Sequence, residues 1–369
     1  MAIEPVKVGV VGCGNISGAY LEFHKQFPVI EVVACADLDL GRAGAKAEEH
    51  GIGRACTVSE LLADGDIQVV LNLTPPGAHT EINLAAIEAG KHVYTEKPLA
   101  VTLSDGRKTL DAAAAKGLLV GCAPDTFLGA AHQTARKLID DGWIGEPVAA
   151  TAFMTCRGHE RWHPDPEFYY KPGGGPMLDM GPYYITDLVN LLGPVDRVCG
   201  SARKSFAQRT ITAEQGKYGQ KIDVDVPTHI TGVMDLACGA VATVIMSFDI
   251  VSATLPRIEV YGSEGTLFVP DPGGFGGPVA VQRINGKKTE VPHTHLYAEN
   301  TRSIGLADMV CAIRSGRKHR ASGELAYHVL EVMQAFEVAS KNNRYAKIQS
   351  AHDRPAPMPG NLPPGVLDE

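Results

Sequence analysis

What this chain has little of narrows its reading first. Aromatic residues fill only 6% of its 369 positions, Trp occurs twice, and the formal charge of −8 comes with no long basic run. A nucleic-acid binder needs a positive stripe to neutralise phosphates, so that class is excluded. No apolar stretch reaches the ~18 residues that a membrane-crossing helix requires. The start of the chain shows no charged leader or cleavage site before an apolar run at 6–11. A cytoplasmic protein, with neither membrane nor nucleic acid as partner, is expected. The eight cysteines, at 13, 35, 56, 122, 156, 199, 238 and 311, form no Cys-x-x-Cys pair. That removes the usual zinc and disulfide frameworks and leaves reduced thiols in apolar surroundings. His293 and His295 pair only by count, with no clustered carboxylate, so no metal is expected.

What is there is ordinary globular material. Hydrophobic residues make up 44% and charged ones 21%, with 40 Gly and 24 Pro marking many turns. The length suits two domains at ~100–200 residues each. In the first third, strand-like runs at 6–11, 30–36, 69–73, 92–95 and 118–122 alternate with helical patterns at 16–25, 42–50, 81–89 and 103–116. Thr102 and Asp105 form a cap at the last of these and Gly117 stops it. Continuous apolar strands with helical crossovers predict an α/β fold, a doubly wound parallel sheet over 1–124.

From 125 to 348 the pattern predicts an α+β domain with an open, mainly antiparallel sheet. A helix is expected at 130–140, a strand at 147–154, a loop rich in Pro, Gly and aromatics at 156–175, and a helix at 182–192. Strands alternate over 195–269, with a hairpin at Cys238-Gly239. Helices at 302–314 and 324–339 and a strand at 345–348 follow. The tail, 349–369, is Pro-rich and expected to be extended or disordered. An open sheet with an apolar outer face would need a second subunit, so a homodimer or homotetramer through that sheet is expected.

Gly12-Cys13-Gly14-Asn15-Ile16-Ser17 closes the first strand and opens the first helix. Gly12 permits a tight turn, and Gly14 lets backbone approach a pyrophosphate at the helix N-terminus. Ser17 replaces the usual third glycine. Asp37 ends the second strand, where a carboxylate accepts hydrogen bonds from the adenosine ribose and repels a 2′-phosphate. That favours NAD over NADP. The alternative for Asp37 is a turn residue.

Two segments carry more chemistry. One runs from Thr74-Pro75-Pro76 through His79 to Thr95-Glu96-Lys97-Pro98. The other is Gly173-Gly174-Gly175-Pro176-Met177-Leu178-Asp179-Met180-Gly181-Pro182-Tyr183. Thr74 and Lys97 follow strand ends, where open α/β sheets bind ligands. Asp179 and Tyr183, four apart near a helix start, share one face. The alternatives are a Glu96–Lys97 surface pair, Asp179 as a cap and Tyr183 as packing. With Gly262-Ser263-Glu264-Gly265-Thr266, these segments resemble the glucose–fructose oxidoreductase / inositol dehydrogenase family, Gfo/Idh/MocA, over about residues 5–348.

The resemblance implies a Rossmann domain and an NAD-dependent oxidoreductase acting on a CH–OH group of a sugar, polyol or glycoside. It places Gly12, Gly14, Asn15, Ile16, Asp37, Thr74, Pro75, Pro76, His79 and Glu96 at the cofactor, and Lys97, Asp179 and Tyr183 at the reacting hydroxyl. Inositol-dehydrogenase-like members carry His where this chain has Tyr183, which leaves the proton acceptor open between Lys97 and Tyr183. The loop before the glycines offers Arg157, Trp162 and His163 to sugar hydroxyls and C–H faces. Asp125, past the 118–122 strand, is placed with them. Two other functions stay open: a glycosidase using transient NAD redox chemistry, and a dinucleotide-binding regulator without chemistry.

Overall fold

The computed structural model describes residues 4–368. Two compact units share the chain. The first contains the described residues up to Gly129, together with His295–Tyr327 and the chain from Met358 onward; the second contains Ala130–Thr294 and His328–Pro357.

The first unit opens with β1 (Val6–Val11), α1 (Ser17–Phe23), β2 (Ile30–Ala36), α2 (Leu40–His50), β3 (Ala55–Cys56), α3 (Val58–Ala63), β4 (Val69–Asn72), α4 (His79–Glu88), β5 (His92–Thr95), α5 (Leu103–Ala115) and β6 (Val120–Cys122). The strands form one parallel sheet in the order β3-β2-β1-β4-β5-β6. Val8, Val10, Val69 and Val70 are wholly buried, as strands covered on both faces must be. Asp39 caps α2 through the amides of Gly41 and Arg42, and Thr102 caps α5 through that of Asp105. The sequence pattern passes over β3 and α3. A capping box, Thr57 with Glu60, announces that short helix.

In the second unit, α6 (Ala130–Asp140) is followed by β7 (Pro147–Thr155), α7 (Gly175–Leu192), β8 (Val195–Arg203), β9 (Gln208–Thr210), β10 (Lys221–Asp223), β11 (His229–Leu236), β12 (Val241–Ser247), β13 (Ile258–Gly262), β14 (Gly265–Val269), β15 (Val279–Arg283) and β16 (Thr289–Val291). Then come α8 (Ile304–Ser315), which lies in the first unit, α9 (Gly323–Asn342) and β17 (Ala346–Lys347). The nine-stranded sheet runs β16-β15-β14-β13-β7-β12-β11-β8-β17. Its pairs are antiparallel except β12 with β7. The hairpin at Cys238-Gly239 joins β11 to β12 as expected. Ala150, Ala152, Val244 and Met246 are buried on one face of the sheet, whereas Val241 on the other is exposed.

Three expectations need correction. First, α7 starts at Gly175, not near 182, so Pro182 lies inside the helix and offers no amide to the Leu178 carbonyl one turn earlier. Second, the first unit does not end at 124. The Cys122 amide bonds to the Ala321 carbonyl and Gly121 bridges Ser322, so the segment around α8 completes the first unit. Third, the tail is extended but packed. Met358 and Leu367 are buried, and Arg317 Nε donates to Asp368 Oδ1 at 2.7 Å. Prolines limit what an extended segment loses in entropy when it docks.

Among the described residues, no helix is long and apolar enough to cross a membrane, and no group of three or more His, Cys, Asp or Glu residues is placed to hold a metal ion.

Candidate active site

The loops after β1, β2, β4 and β5 leave neighbouring strands at their carboxyl ends, and the strand order reverses between β1 and β4. Ligands of open α/β sheets bind at such a switch point. Gly12 makes the first turn with φ +97°, and a Cβ there would lie 2.7 Å from the Leu73 carbonyl carbon and the Thr74 nitrogen. Only glycine fits. A Cβ at Gly14, by contrast, would meet no protein atom within 4 Å. Asn15 is exposed, and Ile16 stands at the N-cap of α1 without a side-chain cap to its first amides.

Asp37 follows β2. Its Oδ2 accepts from the Cys13 amide at 2.8 Å and its Oδ1 from that of Asp39 at 2.9 Å, with Arg42 at 3.7 Å from Oδ1. The carboxylate therefore holds the Gly12 turn against β2. It retains acceptor capacity beyond those two bonds.

After β4, Asn72 Oδ1 accepts from the Thr74 amide and hydroxyl at 3.1 and 2.7 Å, fixing the turn into half-buried Pro76. His79 is wholly buried, its ring 2.7 Å from the Pro98 carbonyl and 2.8 Å from that of Thr74. It straps the β4 turn to the β5 turn. Burial pushes its pKa down, against the pull of the two carbonyls. Glu96 is buried too. Its Oε1 accepts from the Tyr20 hydroxyl at 2.7 Å and its Oε2 from the Lys97 amide at 2.9 Å. Lys97 is half-buried, and its bond to Pro98 is cis.

Asp125 differs from expectation. It is 1% exposed, and its Oδ2 accepts from the Gly305 amide in the first turn of α8 at 3.1 Å. Burial raises its pKa to about 6, with Arg302 pulling the other way. A carboxylate sealed against a helix start is a packing and capping group, not a substrate contact.

In the second unit, α7 carries Asp179 and Tyr183 one turn apart, Asp179 half-buried and Tyr183 buried. The N-cap is Gly174, so Asp179 is not the cap. A Cβ on Gly174 would stand 2.4 Å from the Phe168 carbonyl oxygen. The glycines thus let the aromatic loop close onto the start of the helix. Within that loop, His159 Nε2 lies 2.9 Å from Asp179 Oδ2, and Trp162 Nε1 donates to His159 Nδ1 at 3.2 Å. His163 packs edge-on against Trp162, and Arg157 is exposed.

Residues 6–123 match a family described as oxidoreductase family, NAD-binding Rossmann fold, and residues 132–268 match the GFO/IDH/MocA C-terminal domain. A 1,5-anhydro-D-fructose reductase of Ensifer adhaerens is 32% identical over 70% of this chain and 74% of its own length. The chain belongs to the Gfo/Idh/MocA oxidoreductase family.

Other members are similar over comparable lengths. A myo-inositol 2-dehydrogenase of Thermotoga maritima is 25% identical, over 71% of this chain and 75% of its own. Among solved structures, an NAD binding oxidoreductase from Klebsiella pneumoniae superposes with a TM-score of 0.82 at 23% identity, covering 94% of this chain and all of its own. A levoglucosan dehydrogenase in complex with NADH and L-sorbose gives 0.80 at 22% identity, over 94% and 100% of the two chains. At that identity the likeness shows the fold.

This Gfo/Idh/MocA chain fits the dinucleotide that its N-terminal family description names. The backbone at Gly14 is open to a neighbour, and no side chain caps the helix start behind it. Of the residues expected at the cofactor, His79 and Glu96 turn inward and brace the loops that Thr74 and Lys97 occupy. Sequence reasoning missed His159, Tyr20 and Arg42. Arg42 was detectable as a cation five residues after Asp37. Nothing in the spacing marks His159 above His163, and Tyr20 reads as one more buried ring of α1.

Proposed function

We infer that this oxidoreductase interconverts a secondary hydroxyl and a ketone on a sugar, polyol or glycoside, with NAD preferred to NADP. When bound, NAD supplies the hydride acceptor. The Gly12–Ile16 turn and Asp37 hold the dinucleotide, and the Asp37 carboxylate disfavours a 2′-phosphate. Thr74, Pro75 and Pro76 form its rigid flank. Lys97 hydrogen-bonds the reacting hydroxyl, and Lys97 or Tyr183 takes up its proton. Asp179 orients that hydroxyl, and Arg157, Trp162 and His163 serve the rest of the ligand. Positioned general bases contribute ~10²–10⁴-fold.

One observation carries this reading. Lys97, directly after a strand end, is tethered through its own amide to a buried carboxylate that Tyr20 also holds. A surface lysine paired only with its neighbour would not require such bracing. The substrate class draws support from relatives named as a sugar reductase and an inositol dehydrogenase; the glycosidase and regulator alternatives draw none from them. The exposed Val241 on the sheet's outer face supports a homodimer or homotetramer through that face, which light scattering of the purified protein checks.

The test is net NADH formation on myo-inositol, levoglucosan and an aryl glycoside, with NADP in parallel. NADH accumulating with a polyol or sugar, at higher kcat/KM for NAD than for NADP, is expected. Release of the aryl group without net NADH would instead make the protein a glycosidase and sink the reading.

A further inference from the structure

The aromatic loop contains a hydrogen-bonded chain that ends on Asp179. An indole N–H only donates, so Trp162 Nε1, at 3.2 Å, makes His159 Nδ1 the acceptor. The proton of the neutral ring then sits on Nε2, which points at Asp179 Oδ2 at 2.9 Å. The ring is clamped on its sides by Tyr169 and Phe248, with centroids 4.4 and 4.5 Å away. His159 and Asp179 are 13% and 15% exposed as side chains, so the pair is largely shielded from water.

The charged neighbours of this ring are already spoken for. Glu160 accepts from Tyr170 and from Arg209, and Arg209 also pairs with Asp249. Asp249 accepts from Thr228 as well. His163, on the same loop, bonds the Asp165 amide through Nδ1, and burial lowers its pKa. The hydrogen bond of the His159 ring to a carboxylate leads to Asp179.

We propose that His159 is the positioning residue for Asp179, held by Trp162 in the neutral Nε2–H form. This deepens the proposed function and rests on it for the role of Asp179. The imidazole is delivered from the loop before α7. It holds the carboxylate in one rotamer and leaves its negative charge intact. Protonating His159 would place an N–H against the Trp162 N–H and break that bond. It would also set a cation beside Asp179.

The test combines ring NMR of ¹⁵N-histidine-labelled full-length protein with steady-state kinetics of NADH formation from myo-inositol or levoglucosan, whichever reacts faster. The wild-type ring should show the Nε2–H tautomer. Trp162→Phe removes the donor of an exposed side chain and should lower the Nε2–H population of the ring. His159→Phe should lower kcat about tenfold with a smaller change in KM, and His159→Gln, which keeps an N–H donor at that reach, should restore most of it. An Nδ1–H tautomer in the wild type, or a kcat unchanged by His159→Phe, overturns the proposal even if NADH still forms. If neither polyol yields NADH while the NMR results hold, the proposed reaction fails and the tautomer assignment stands.

Discussion

Around the candidate site residues, the two units hold their carboxylates by different means. In the first, three acidic side chains accept from backbone amides: Asp37 from Cys13 and Asp39, Glu96 from Lys97 as well as from the Tyr20 hydroxyl, Asp125 from Gly305; away from them, Asp308 of the same unit pairs with Arg317 and Arg320. In the second, they pair with side chains: Asp179 with His159, Asp187 with His132, Glu160 and Asp249 with Arg209. An amide is present whatever residue carries it, so the first unit's contacts survive changes at the donor position. The second unit's contacts depend on both partners, and losing either strands the other in a site with little water.

The largest expected effect lies where the first unit's bracing meets chemistry. Lys97→Ala should cut turnover by ~10²–10⁴-fold while NADH binding, followed by fluorescence titration, stays near wild type. Undiminished activity would make the bracing purely structural.

Next comes the wholly buried His132–Asp187 pair, 2.8 Å apart. Burial pulls the His132 pKa down, but Asp187 outweighs it and the net direction is up. Asp187→Asn should cost about 3–5 kcal/mol in urea unfolding. Because the folded-state value is raised, the wild-type gain is fully present below about pH 6.5, the unfolded value, and fades as pH rises through the folded one. The variant should lack that slope.

Asp125 tests the first unit's rule with the opposite sign. Its folded pKa of about 6 lies above the ordinary aspartate value of 3.8, so ionisation costs about 3 kcal/mol once the pH passes 6. Asp125→Asn keeps an acceptor for the Gly305 amide and removes the charge. It should be the more stable protein at pH 7.5 and lose its advantage near pH 4. A variant less stable than wild type at pH 7.5 would show that the amide contact needs the full charge.

The smallest effect sharpens the role of burial. Arg283 and Glu264 pair at 2.7 Å with more than half of each side chain exposed. Arg283→Ala should change stability by less than about 1 kcal/mol, although it too breaks a side-chain pair of the second unit.

The same contrast explains what was legible. The strands at β1, β2 and β5 and the helix α6 match the sequence pattern residue for residue, because each depends on apolar runs and caps within a few positions. The cofactor turn was equally plain, since Gly12 answers a backbone requirement. The sequence pattern starts α7 seven residues late. Pro182 looked like a first-turn proline, and the true start uses Gly174 and Pro176 in a run that also reads as loop. Asp125 was misplaced because its partner, Gly305, lies 180 residues away.

By itself, the sequence determined the parallel sheet, its crossovers, the glycine turn and the loops that bear Asp37, Thr74 and Lys97. These depend on local propensity and on rules of strand order that hold wherever apolar runs alternate with helices. Only the tertiary structure decided that α8 and the tail complete the first unit, that Asp125 is sealed inside it, and that His159 rather than His163 reaches Asp179. Those outcomes depend on contacts between residues far apart in the chain, where closure and packing, rather than spacing, select the partner.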